Sequence, residues 1–295
     1  MISAPALGAV YSLASALIWT LLGLVARALS PYLNALAINM LRSAIGGAFL
    51  AILALALGGF GALRAVSPVS WVYLTASIIT AIAVGDTVFF ESTKTLGLAR
   101  AMTVSMVYPP IASLLAVWVF DERITPAIAA GGMVTLGGLA LLVGERAPGA
   151  SGGPRGGRRG LALALLAAVA WAVSTVLIKA PLHEVEPVTV QAVRLPLAGA
   201  LLWLTPWARG TGRVVRAHPR TLVPLLILLG VLTAASSVTF VLGLQLAGVT
   251  LASILSATAP LFALPIGLVA FGERVTWRAV AGAAICIAGI AILSL

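Results

Sequence analysis

GLARAMTVSMVYPPIASLLAVWVFDERIT, residues 97–125, is an apolar run of membrane-spanning length. Pro109 and Pro110 interrupt it near the middle, and it ends on a charged cap, Asp121-Glu122-Arg123. A second stretch, GVTLASILSATAPLFALPIGLVAFGERVT at 248–276, repeats the plan. Pro109 and Pro260 are 151 residues apart, and so are Glu122-Arg123 and Glu273-Arg274. Either stretch alone predicts a transmembrane helix. The pair says that the chain is two copies of one unit.

The repeat extends outward from these stretches. At an offset of 152, Trp19 meets Trp171, Arg27 meets Lys179, Asn39 meets Gln191, Arg42 meets Arg194 and Gly47 meets Gly199. A one-residue deletion then changes the offset to 151. Beyond it Asp86 meets Ser237, Phe89 meets Phe240, Lys94 meets Gln245, Gly97 meets Gly248, Gly131 meets Gly282 and Gly138 meets Gly289. Chance does not align this many Trp, Arg, Pro and Gly, so the chain divides into repeats at 1–145 and 160–295. The Gly/Arg-rich stretch 146–159 between them is expected to be a flexible linker.

Composition places both repeats in a bilayer. Of 295 residues, 61% are hydrophobic and 9% charged, against about 25% charged in soluble domains. The net charge of +10 is no nucleic-acid footprint, because Lys and Arg fall between apolar runs instead of on one basic face. The single cysteine, Cys286, excludes an intrachain disulfide. His183 and His218 fall in loops, and no Cys/His cluster suggests a metal or cofactor. No nucleophile–base arrangement or phosphate loop is present, so an enzyme is not expected. The first residues lack a basic n-region and read as the start of the first span.

A span needs about 20 apolar residues. Ten are predicted, at 6–26, 33–57, 70–91, 97–120, 126–144, 160–180, 188–207, 222–243, 249–271 and 277–294. The fold class is therefore an all-α integral membrane protein of ten transmembrane helices. A five-span unit copied in tandem starts its second copy from the opposite side, so the two five-helix repeats are inverted. Such repeats hold a binding site between them near the midplane. Thirteen Lys and Arg fall on the side of the odd-numbered loops and three on the side of the termini. The positive-inside rule then puts both termini outside.

The pattern resembles the drug/metabolite transporter superfamily, in its ten-span form with two EamA-type repeats. The resemblance rests on Trp19 and Trp171, Arg42 and Arg194, Pro109 and Pro260, and the helix-end motifs DERIT (121–125) and GERVT (272–276). It covers essentially the whole chain. It implies export or exchange of small metabolites, such as amino acids or related compounds, across the cytoplasmic membrane. It also implies a central cavity lined mainly by the third, fourth, eighth and ninth spans, with the first and sixth alongside. Better-known bacterial members have both termini in the cytoplasm, opposite to the charge count.

Within this frame the candidate cavity residues are Trp19, Asp86, Phe90, Ser105, Tyr108, Pro109, Trp171, Ser237, Phe240, Ser256 and Pro260. Asp86 and Glu91 are the two carboxylates inside a predicted span, and both are candidates for proton coupling. Asp86 is roughly 24 Å along its helix. Arg42 and Arg194, with Asn39 and Gln191 one turn before them, read mainly as intramembrane packing and hydrogen-bonding groups. A substrate carboxylate is the alternative partner for the two arginines. Glu122 and Glu273 are expected to close loops with their Arg neighbours. Glycines in the fifth and tenth spans suggest close helix packing, in a monomer or a homodimer. The expected partners are the lipid bilayer and a small-molecule substrate. Two rival readings are a non-transporting membrane scaffold and a membrane enzyme acting on a lipid-linked substrate. The first would want richer loops and the second converging acids.

Overall fold

The computed structural model describes residues 3–96, 98–143, 154–259, 261, 262, 266 and 276–293. Every regular element among them is helical. Helices α1 (Ala4–Leu29), α2 (Ala35–Ala56) and α3 (Pro68–Leu96) are the first three spans. Polar side chains start them: Asn34 accepts from the Ala37 N–H at 2.7 Å and Ser67 from the Ser70 N–H at 3.2 Å. The fourth span is two helices, α4 (Leu98–Ser105) and α5 (Tyr108–Phe120), and the fifth is α6 (Pro126–Val143). The second repeat opens with α7 (Pro154–Lys179) and α8 (Pro187–Trp203). A short helix α9 (Thr211–Ala217) precedes α10 (Pro219–Ser256), and α11 (Trp277–Leu293) is the tenth span. Residues 154–159 of the expected linker are thus helical, and its residues 146–153 lie outside the described residues.

Four breaks shape the spans. The fourth opens at Met106-Val107, which places Pro109 in the first turn of α5, where a missing N–H is tolerated. The second repeat opens at the equivalent Ala257-Thr258, while Pro260 and Pro265 lie outside the described residues. The 38 residues of α10 would reach about 57 Å if unbroken, nearly twice the hydrocarbon thickness. Gly248, at φ 82° and ψ 171°, divides them into the eighth span and the start of the ninth. That conformation favours glycine. The seventh span ends at Trp203, short of the expected 207, and the chain then bends by 87°. Exposed Trp203 and Trp207 followed by Arg209 and Arg213 match a membrane interface.

The structure also locates the deletion between the repeats. Gly58 and Gly210, both at positive φ, precede equivalent short helices and are 152 apart. Pro68 and Pro219 open α3 and α10 and are 151 apart. The missing residue falls in the turn between.

Packing follows a pseudo-twofold axis. α1 packs along α10, and its mate α7 packs along α3, the mate of the eighth span. α2 crosses its own mate α8, and α6 crosses its own mate α11. The crossings are self-complementary residue by residue. A Cβ on Gly47 would lie 2.6 Å from Pro196, and one on Gly199 would lie 2.9 Å from Ala44, the mate of Pro196. In the other crossing Gly138 faces Gly282 and Cys286, while Gly289 faces Gly131 and Thr135, their mates. Ser105 donates to the Ala164 carbonyl and its mate Ser256 to that of Ser12, the mate of Ala164. Every span of one repeat therefore leans on the other repeat. Ile52, Leu55, Val72, Leu114 and Met133 face outward, as lipid contact requires.

Glu122 does not pair with its neighbour Arg123, as the sequence had suggested. It crosses to the second repeat and accepts from the N–H groups of Val249 and Thr250 at 2.8 and 3.0 Å. It also accepts from the Thr250 hydroxyl at 2.7 Å and Lys179 Nζ at 3.1 Å. The helix after Gly248 exposes free N–H groups at its start, and a carboxylate satisfies them. Glu273 lies outside the described residues. Burial alone would raise the Glu122 pKa, but the Thr250 and Val249 bonds and Lys179 outweigh it and hold the group below its ordinary 4.5. A depressed folded pKa gives stability that is complete above the unfolded value and lost as pH falls through the folded one. The melting temperature is therefore expected to fall as the pH drops below about 4.5, and less steeply in Glu122→Gln. A wild-type acid limb that the variant reproduces would refute this.

Candidate functional site

Where α1, α2, α3, α5, α7, α8 and α10 converge, they enclose a cavity of about 160 Å³. α2 and α8 line it through Arg42, Gln191, Arg194 and Leu195. The family resemblance had not included those two spans. No described residue of α6 or α11 lines it.

One wall is aromatic. Trp19 and Trp171, equivalent in the two repeats, meet edge to face at 6.0 Å. Phe89 packs 5.0 Å from Trp171, and Tyr108 stands edge-on to Trp171 at 6.2 Å. Phe240 lines the cavity from α10 of the second repeat. Gly85 makes room for Trp171, since a Cβ there would lie 2.8 Å from the indole ring. Tyr108 donates its hydroxyl to the Ser253 carbonyl at 2.9 Å, which ties α5 to the start of the ninth span.

The other wall is charged. Asp86 Oδ2 is paired with Arg42 Nη2, and Asp86 Oδ1 accepts from Trp171 Nε1 at 2.8 Å. Arg42 Nε donates to Asn39 Oδ1 at 2.9 Å, and the guanidinium lies over the rings of Trp19 and Phe90, 5.6 Å from each. Arg194 is arranged differently. It donates from Nη1 to Gln191 Oε1 at 3.1 Å, and from Nη2 to the Ser174 hydroxyl at 3.2 Å and the Ser77 carbonyl at 3.3 Å.

The backbone that carries Asp86 is unusual. From Ile78 to Asp86 the third span is a π-helix, while the equivalent part of α10 is α-helical. Side chains draw its carbonyls out of the helical ladder. Ser77 O accepts from Ser174 and Arg194, and Ile82 O accepts from Asn39 Nδ2 at 2.6 Å. Such segments recur at functional sites. Nothing in the apolar run IITAIAVGD signals it in the sequence.

Of the candidate residues, Trp19, Asp86, Tyr108, Trp171, Ser237, Phe240 and Ser256 line the cavity. Phe90 stands behind Arg42. Ser105 joins α4 to α7, and Pro109 is buried in α5 outside the lining. Pro260 lies outside the described residues. Glu91 is on the outer end of α3, paired with Lys94 at 2.6 Å and far more exposed than Asp86. Sequence reading missed Ser15, Ser174, Thr175, Thr233 and Ser236, which supply the cavity with hydroxyls. Small polar residues in apolar runs look alike until the helices are rotated into place.

Two inverted five-helix repeats that meet around a shared cavity are an architecture of membrane transporters. The chain belongs to the EamA-like transporter family, which it matches over residues 6–144 and 158–295. An uncharacterized transporter from Archaeoglobus fulgidus is 26% identical over 223 residues, 75% of each chain. A solved crystal structure superposes with a TM-score of 0.78 at 23% identity, over 99% of this chain and 96% of that one, and shares the fold.

Proposed function

We propose that this protein is a secondary transporter that exports or exchanges small metabolites, such as amino acids or related compounds, across the cytoplasmic membrane. The observation that carries this is the buried cavity shared by both repeats, with Asp86, Arg42 and Arg194 on its wall. Charges deep in a bilayer are expensive and mark substrate or ion pathways. The mechanism is alternating access, because two inverted copies allow two near-equivalent packings, one open to each side. The Lys and Arg distribution favours both termini outside. Asp86 is the buried acid through which a proton gradient would act.

The test is flux by the purified protein in liposomes, with a panel of amino acids, organic acids, amines and nucleobases. Counterflow of at least one class is expected, and no movement of any compound overturns the carrier reading. Flux in the wild type that ignores an imposed pH gradient removes the proton role of Asp86.

A further inference from the structure

Among the residues that line the cavity, the two repeats differ in charge at Asp86 and its mate Ser237. Arg42 has a carboxylate partner because Asp86 stands opposite it. Arg194 occupies the equivalent place in the second repeat, but the mate of Asp86 is Ser237. Arg194 therefore forms no ion pair within 4 Å among the described residues, although it is 5% exposed, and the one carboxylate whose charge reaches it, Asp86, is already paired with Arg42. Its named acceptors are neutral: an amide oxygen, a hydroxyl and a carbonyl. Its Nε is buried with no partner at all.

We infer that Arg194 is the anchor for a carboxylate on the transported molecule, and that the cavity takes a small aromatic or planar apolar monocarboxylate. Three charges face the cavity, and they sum to one positive. A single anion neutralises it, and an uncompensated buried charge is otherwise costly. Gln191, Ser174 and the Ser77 carbonyl fix the guanidinium at the cavity wall and leave the second Nη1 hydrogen for a carboxylate. Trp19, Trp171 and Phe240 offer apolar faces to the rest of the molecule. A cavity of about 150 Å³ holds a benzene ring, which sets the size. An ammonium group would have to share Asp86 with Arg42, which already pairs its charge, and with Trp171 Nε1. The inference rests on the carrier reading and narrows its substrate class: the carboxylate is required and the amino group is not.

The test is equilibrium binding to the purified full chain in nanodiscs, with phenylacetate, phenylacetamide, phenethylamine and phenylalanine as matched probes. Phenylacetate is expected to bind at least about tenfold more tightly than the amide or the amine, and more tightly than phenylalanine. Arg194→Gln should abolish the preference of acid over amide, while Arg194→Lys should keep part of it. Equal binding of acid and amide, tighter binding of the amine, no binding of phenylacetate, or an acid preference that survives Arg194→Gln would overturn the inference. The wild-type comparison stands even where Arg194→Gln does not fold. Liposome flux separates the two claims. Arg194-dependent binding without transport defeats the carrier reading alone, and transport of amines without carboxylate binding defeats this inference alone.

Discussion

Asp86→Asn is expected to lower the stability of the folded chain by about 3–5 kcal/mol, the usual penalty for removing one partner of a buried ion pair. Arg42 is 3% exposed, so water cannot replace the lost carboxylate. Its remaining contacts are Asn39 Oδ1 and the faces of Trp19 and Phe90. Asn keeps the shape of Asp and can still accept from Trp171 Nε1. The loss therefore reports charge and not packing. Thermal unfolding in nanodiscs reads it directly. The double variant Asp86→Asn/Arg42→Gln should recover much of the loss, because neither charge is then left alone. If the single variant melts with the wild type, the pair does not hold the third span to the second.

The second large effect is at the crossing of α6 and α11. Gly138→Ala is expected to cost about 1–3 kcal/mol, in the range of overpacked interiors. The added Cβ would lie 2.7 Å from the Gly282 carbonyl oxygen and 2.9 Å from Cys286 Cα. These are backbone atoms, so no rotamer change relieves the clash and the helices must part. Gly137→Ala is the control one residue away. Nothing lies within 4 Å of its added Cβ, and it should be neutral or slightly stabilising, since Ala favours helix over Gly. The same unfolding measurement on both variants decides. Equal melting temperatures would mean that the close approach of the two spans contributes nothing.

Much of the fold was legible because bilayer burial is additive along a chain. Apolar length marks the spans, and the register of Trp, Arg, Pro and Gly marks the duplication. The seventh span ended early because Trp203 and Trp207 suit the interface, which hydrophobicity alone does not distinguish from the core. Parts of the cavity lining were legible too, since Asp86, Trp19 and Trp171 stand out in apolar runs. Ser105 and Pro109 stand out equally and line nothing, because helix rotation, absent from a one-dimensional pattern, turns them toward neighbouring helices.

The sequence by itself determined an inverted ten-helix membrane protein, since span length and an odd repeat leave no other arrangement. It could not separate Arg42 from Arg194, which look alike in equivalent places. Only the tertiary structure decided that Arg42 is ion-paired with Asp86 while Arg194 is held by neutral acceptors, because pairing depends on what stands opposite in space. The proline-broken run at 97–125 shows the same division. Its break was readable from Pro109, but the reach of Glu122 to Val249 and Thr250 was not. Hydrophobic burial is set by neighbours along the chain, whereas the Arg42–Asp86 pair joins groups 44 residues apart and the Glu122–Val249 bond groups 127 apart.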